Sequence, residues 1–251
     1  MSSAVPVCPD LDESGRPLSP HTPANLNAAL TIPPENASTA VKESEALFIH
    51  DFLRDHPECG RTLEVGMGYG RSASHIMAAT GKAHVAMDPF QDTYDRLGLR
   101  NLEGLGFDEQ LEFHDDFSHN VLPKLHGEGR KFDFAFIDGD HKFDGILIDF
   151  YYADLMLDPG GYVLLHDTWM RSTQMVMGFV RKNRKDYEEV PTHLRNLCLF
   201  KKTGTDERNG MFFREFYNTR NILVHPAISY MSEGKDSALK RFLLWLKRKI
   251  R

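Results

Sequence analysis

The sequence predicts a doubly wound α/β domain: a mostly parallel seven-stranded sheet with an antiparallel closing strand and helices on both faces. Three observations predict it. Short apolar runs alternate with longer stretches of helical periodicity, as in successive β-α units. A glycine-rich turn, Gly66, Gly68 and Gly70, follows the first run. Each of the first five runs ends at or beside an acid: Glu64, Asp88, the Asp115–Asp116 pair, Asp138, and His166 with Asp167.

The elements follow in order. Residues 1–35 hold seven of the 13 prolines, no aromatic residue and few large apolar ones. They read as a mobile arm, partly ordered against a domain that spans 36–232. Thr39 to Leu53 is helical, with Val41, Phe48 and Phe52 on one face and Leu47 beside them. Strands are expected at Arg61–Val65, His84–Met87, Leu111–His114, Phe132–Ile137 and Tyr162–Leu165. Ile146, Phe150, Ala153 and Leu157 show four-three-four spacing on one intervening helix. Asp158-Pro159-Gly160-Gly161 is a stop and turn before the fifth strand. After a helix at Ser172–Asn183, Glu188–His193 and Asn196–Lys202 form a closing strand pair. Phe212, Phe213, Phe216 and Tyr217 either line a substrate pocket or fill core space.

Residues 233–251 read as a basic amphipathic helix, with Phe242, Leu243, Trp245 and Leu246 among Lys240, Arg241, Lys247, Arg248, Lys249 and Arg251. Such a helix packs on its own domain or on a second copy of the chain, or makes a peripheral contact with an anionic membrane. Net charge is −6, so the rest of the chain carries about −12 once those six cations are set aside, which argues against a nucleic-acid partner. Cys8, Cys59 and Cys198 are far apart and lack metal-ligand spacing. With no secretory signal and no apolar run long enough to span a membrane, they predict a cytoplasmic protein.

Glycines at a strand-to-helix turn permit positive φ and let backbone N–H groups approach a ligand. An acid after the second strand, here Asp88, suits the two hydroxyls of a ribose. In the dinucleotide fingerprint the third glycine falls where this chain has Arg71, and Gly70 comes one residue early. Glu64-x-Gly66-x-Gly68-x-Gly70 with a later acid instead resembles motif I of the class I S-adenosylmethionine (SAM) methyltransferases. A tight turn in some other α/β protein is the bland alternative.

Two further stretches carry the resemblance, Phe136-Ile137-Asp138-Gly139-Asp140-His141-Lys142-Phe143 and the run Leu157 to Thr168 that ends in His166-Asp167-Thr168. From about Glu43 to Tyr187 the chain resembles the bacterial class I O-methyltransferases that include macrocin-type and cephalosporin-type enzymes, and more distantly catechol O-methyltransferase. The resemblance implies a Rossmann-like fold and SAM as cofactor. It implies that Glu64, Gly66, Met67, Gly68 and Gly70 wrap the methionine part, with Ser72 on its carboxylate at a helix N-terminus. Asp88 would hold the ribose, with Pro89 and Phe90 along the adenosine. The segment Asp115-Asp116-Phe117-Ser118 would lie near the adenine, Asp115 or Asp116 accepting from its exocyclic amine, and Asp138 would also lie near SAM.

In metal-dependent relatives, acids at the positions of Asp138 and Asp167 hold Mg²⁺, with Asn or Asp next; here Thr168 takes that third place. Two carboxylates plus water is an ordinary Mg²⁺ arrangement. Against this, Asp138 touches only SAM and Asp167 only caps a helix. His141, His166 and Asp140 compete for the role of base, the two imidazoles because they titrate near neutral pH. The expected activity is O-methylation of a small hydroxylated molecule, a sugar or phenol, with Mg²⁺ assistance. The rivals are a nicotinamide-dependent oxidoreductase, disfavoured by Arg71 and the lack of a Tyr-x-x-x-Lys pair, and a non-catalytic SAM-binding protein.

Overall fold

A computed structural model describes residues 21–216. Seven strands form one sheet: β1 (Thr62–Val65), β2 (His84–Met87), β3 (Leu111–His114), β4 (Phe132–Ile137), β5 (Leu157–Leu165), β6 (Tyr187–Val190) and β7 (Cys198–Lys202). Their spatial order is β3-β2-β1-β4-β5-β7-β6. The first five are parallel; β7 runs antiparallel between β5 and β6.

The register positions the site. Val65 pairs with Met87 on one side and with Ile137 on the other, Met87 pairs with His114, and Ile137 with Leu165. Five strands therefore end in line. The next residue of each, Gly66, Asp88, Asp115, Asp138 and His166, reaches the same edge of the sheet. Chain order reverses between β1 and β4, the point where an open α/β sheet leaves a crevice.

Side chains alternate across the sheet. Ala135, Ile137, Val163 and Leu165 face one layer, formed by α5 (Ser118–Gly127), α6 (Phe143–Met156) and α7 (Arg171–Asn183). Phe134, Phe136, Tyr162 and Leu164 face the other, where α2 (Glu43–Asp55) contributes Ile49, Phe52 and Leu53 and α3 (Arg71–Thr80) contributes Ile76. Asp158-Pro159-Gly160-Gly161 does not precede β5 but lies inside its span. Pairing jumps from Leu157 opposite Phe132 to Tyr162 opposite Phe134, and Gly160 takes φ 106° in the bulge. Leu157 opens this strand rather than continuing α6.

The arm expected over 1–35 is not free along its described part. α1 (Pro23–Ala29) starts with Thr22 as cap and Pro23 in its first turn, and buries Leu26 completely against Met67, Met77, Ala86 and Leu102. Thr31 and Asn101 exchange two hydrogen bonds of 3.0 and 2.9 Å, and His21 bonds the Leu105 carbonyl at 2.9 Å. One large apolar side chain and this backbone pairing anchor what composition alone counts as too polar. Residues 1–20, Tyr217 and the basic segment 233–251 lie outside the described residues. Phe216 packs on Phe179 of α7, away from the glycine loop. No helix among the described residues is long and apolar enough to cross a membrane.

A buried ionic cluster ties the last strands to α6. Arg184 bonds Asp154 at 2.8 Å and Asp186 at 2.6 Å, Lys202 Nζ reaches Asp154 at 3.0 Å, and the Tyr187 hydroxyl donates to Asp154 at 2.9 Å. Burial raises the Asp154 carboxyl, but the Arg184 and Lys202 contacts outweigh it and hold its pKa below the usual value.

Candidate active site

A cavity of about 790 Å³ opens at the aligned strand ends. Its wall is built from the turns after β1, β2 and β4, the start of α5, one face of α6 and the segment before α2.

The turn after β1 requires its first glycine. Gly66 has φ 87°, and a Cβ there would stand 2.3 Å from the Asp138 carbonyl oxygen. Gly68 N–H donates to Asp88 Oδ2 at 2.7 Å, while Phe90 N–H donates to Oδ1 at 2.8 Å. The Asp88 carboxylate is thus held rigidly on the cavity wall, with Met67, Pro89 and Phe90 alongside. Phe117 faces Phe90 edge-on, ring centres 5.8 Å apart.

Four residues expected at the cofactor, Glu64, Gly70, Asp115 and Asp116, lie off the cavity wall, and a fifth, Ser72, is turned away from it. Glu64 is completely buried behind the loop, where it accepts from Ser72 Oγ and pairs with His84 Nε2 at 2.9 Å. Ser72 does border the cavity, but its hydroxyl is turned to Glu64. Gly70 caps α3 with φ 80° and is not part of the wall. Asp115 is paired with Arg96 at 3.2 Å. Asp116 lies just before α5, accepting from Phe117 N–H at 2.7 Å and Asn120 Nδ2 at 2.8 Å. Neither aspartate lies on the wall. Side chains able to bond locally are drawn to nearby helix ends and cations, which spacing does not reveal.

The acids after β4 and β5 do converge. One donor atom from each of Asp138, His141 and Asp167 lies within 4.8 Å of the others. His141 Nε2 is 3.0 Å from Asp167 Oδ2 and 3.6 Å from Asp138 Oδ1. The bonds to Asp138 and Asp167 push its pKa up to about 10. Asp167 takes φ 51°, and its carboxylate also receives Trp169 Nε1–H at 2.9 Å. Burial raises it, but His141, His166 and Trp169 together bring it down to about 2.

His166 is not placed as a base. It is buried, its Nδ1–H donating to Asp138 Oδ1 at 2.8 Å and its Nε2–H to Glu45 Oε2 at 3.0 Å. Burial pulls its pKa down, but the two carboxylates prevail and raise it to about 10. Thr168 is not placed as a ligand either, because its buried hydroxyl donates to the Arg195 carbonyl. Of the three expected bases, Asp140 and His141 line the cavity and His166 does not. Asp140 is occupied by Lys142, through its backbone N–H at 3.1 Å and its Nζ at 3.2 Å.

Sequence reading missed Glu45, Asn196 and Asp149. Asn196 Nδ2 donates to Glu45 Oε1 at 3.1 Å and Asp167 Oδ1 at 3.3 Å, beside the His166 ring. Glu45 lies four residues from Val41 and seven from Phe52, an acid on the apolar face of its helix. Asp149 stands three residues after Ile146 and four before Ala153, also on a buried face. Charge on an apolar stripe was the available signal.

Cys59 and Cys198 are buried, and burial first of all pushes both thiols up to about 12.

Residues 63–168 match a family described as methyltransferase domain. No curated protein matches the sequence. Among solved structures, the O-methyltransferase TomG from Streptomyces achromogenes, involved in tomaymycin synthesis and in complex with SAM, is similar with TM-score 0.59 and 19% identity, over 71% of this chain and 89% of that one. An O-methyltransferase from Bacillus cereus in complex with SAH gives TM-score 0.57 and 15% identity, over 72% and 89%. The SAH-bound methyltransferase PaMTH1 of Podospora anserina gives 0.58 and 16%, over 71% and 86%. At these identities the likeness is one of fold.

Proposed function

We propose that the chain is a class I SAM-dependent methyltransferase that methylates a hydroxyl of a small molecule, a sugar or a phenol, with a divalent cation at Asp138 and Asp167. The observation that carries this reading is the common strand-end register. It gathers the glycine turn, Asp88 and the Asp138–His141–Asp167 cluster around one cavity.

The residues fit the cofactor. Gly68 leaves open space on the cavity wall, where a Cβ would meet nothing within 4 Å, and the fixed Asp88 carboxylate retains acceptor capacity for ribose hydroxyls. SAM supplies an electrophilic methyl on a sulfonium, so the protein mainly aligns the acceptor and keeps the site dry. The donor set also fits a divalent cation. Asp138 and Asp167 offer hard oxygens and water completes the shell in place of Thr168, which leaves the nearby His141 ring free of the ion. Such a cation supplies a Lewis acid that stabilises an alkoxide or phenoxide.

His141 is the best placed base. It lies on the cavity wall and touches both acids. It takes the acceptor hydroxyl's proton as the new C–O bond forms and the sulfonium C–S bond breaks, leaving the thioether. At a pKa of about 10 the imidazole is already protonated near neutral pH, so it must first shed its proton. Drawing the two carboxylates away from it would lower its pKa and make that possible.

Calorimetry tests the cofactor. SAM and S-adenosylhomocysteine should bind and NAD should not, and Asp88→Ala should weaken binding by about 1.5–3 kcal/mol, the range for bonds to a charged group. Unchanged affinity in the variant removes Asp88 from the site. For the metal, protein stripped with EDTA is assayed against a panel of hydroxylated acceptors, with and without added Mg²⁺. Activity should return only with Mg²⁺. Full turnover by the stripped protein sinks the metal reading and leaves acid–base chemistry at His141. An Asp167→Asn variant should bind SAM normally yet lose most turnover.

A further inference from the structure

A second groove, of about 340 Å³, lies between α2 and the β6–β7 connection. Its floor is a row of rings one helical turn apart. Phe48 and Phe52 stack with centres 6.2 Å apart, and Phe52 and His56 with centres 4.1 Å apart. His193, from the β6–β7 connection, meets Phe48 edge-on at 5.5 Å and closes the other side. Leu47, 42% exposed, stands at the rim with Asp51 and Asp55, both exposed. Asp51 reaches His50 at 3.0 Å, and among the described residues no lysine or arginine pairs with either acid. The groove is thus apolar beneath and negative at its edge.

One segment of this chain has the complementary pattern. Wound as a helix, residues 239–250 put Leu239, Phe242, Leu243, Leu246 and Ile250 on one stripe. Lys240 and Lys247 flank that stripe on one side and Lys249 on the other. The row of rings from Phe48 to His56 is about 12 Å long and the stripe about 16 Å, at the rise of an α-helix. The segment can also reach the groove. Phe216, the last described residue, packs on Phe179 of α7, in the layer opposite α2. Residues 217–238 span on the order of 70 Å when extended, against about 40 Å across a domain of this size. A tether of that kind gives the chain's own segment an advantage over the same segment of a second copy.

We propose that residues 239–250 dock as a helix in this groove, apolar stripe on the rings and lysines at Asp51 and Asp55. The docked helix clamps α2 to the β6–β7 connection. That clamp bears on the reactive corner: α2 carries Glu45, the connection carries Asn196, and the two bond each other at 3.1 Å beside His166.

Hydrogen exchange on the full chain tests the docking. A helix of about a dozen residues is marginal in water by itself, so the amides of 239–250 gain protection only when the segment is held. In the parent they should exchange at least about tenfold more slowly than an unstructured peptide. That protection should be the same over about a hundredfold range of protein concentration. Asp51→Lys combined with Asp55→Lys, at exposed positions, should cut it by roughly tenfold, because attraction becomes repulsion at both acids. Lys240→Glu combined with Lys247→Glu tests the same contact from outside the folded domain and should do likewise. Combining all four substitutions should restore most of the protection. Unprotected amides in the parent, protection that the groove variant leaves intact, or no recovery in the combined variant overturns the proposal. Protection lost on dilution assigns the groove to a second copy. Protection seen only with vesicles of phosphatidylcholine and phosphatidylserine assigns the segment to a membrane. Either of these results also overturns it.

Discussion

A single imidazole, His166, carries a prediction that its motif did not announce. It bridges Asp138 and Glu45 and has its pKa raised to about 10. A group whose folded pKa lies above its unfolded value stabilises the fold fully below the unfolded pKa, about 6.5, and loses that contribution as pH rises through the folded one. Metal-free protein should therefore lose melting temperature between about pH 7 and 10, by roughly 5 °C, and His166→Gln should start lower but show a flatter profile. A parent profile as flat as the variant's would mean that His166 is not a buried cation. The sequence placed His166 beside Asp167 and showed that both lie at a strand end. It did not show that the ring turns inward, because that depends on Glu45, 121 residues away. Side-chain partners from distant segments are what spacing cannot supply. By the same reasoning Thr168 was expected in a metal shell and instead bonds a neighbouring loop.

At the scale of elements, most strands were legible because a parallel strand buried on both faces is a continuous apolar run. β2, β3 and β4 fall where the runs were, at His84–Met87, Leu111–His114 and Phe132–Ile137. The Asp158–Gly161 bulge was misplaced, since turn chemistry marks a break in pairing without saying on which side the strand resumes. α1 was illegible for a different reason. Seven residues carry too few apolar positions to show a period, and the one that matters, Leu26, docks on α3 and α4 (Leu97–Gly104) side chains made available by tertiary structure. Limited proteolysis should spare residues 21–31. Leu26→Ala should open that segment to cleavage, because removing a fully buried leucine costs about 2–4 kcal/mol. Equal resistance in the variant would show that the backbone pairing with Asn101 suffices alone.

For the molecule as a whole, the glycine turn and the acids share one edge because five strands end in register, a property alternation implies but does not fix. The half of the sheet beyond β5 depends on the ionic cluster around Asp154. Replacing Asp154 by Ala leaves Arg184 and Lys202 buried with less compensation, and should cost about 3–5 kcal/mol, seen as an early unfolding midpoint in urea. A loss below about 1 kcal/mol would mean that Asp186 alone neutralises Arg184.

The tie among Glu45, His166 and Asn196 also sets an order of events for the growing chain. Asn196 bonds a carboxylate 151 residues earlier, and contacts of that separation close last. The turn that holds Asp88, by contrast, is complete within about two dozen residues of Gly66, once β1 and β2 are paired. The nucleoside end of the cavity can thus take shape while the acidic end still waits for β7. Only a chain finished through the 194–198 segment brings Asn196 to the acids, so completeness of the polypeptide is itself a condition for assembling the reactive corner.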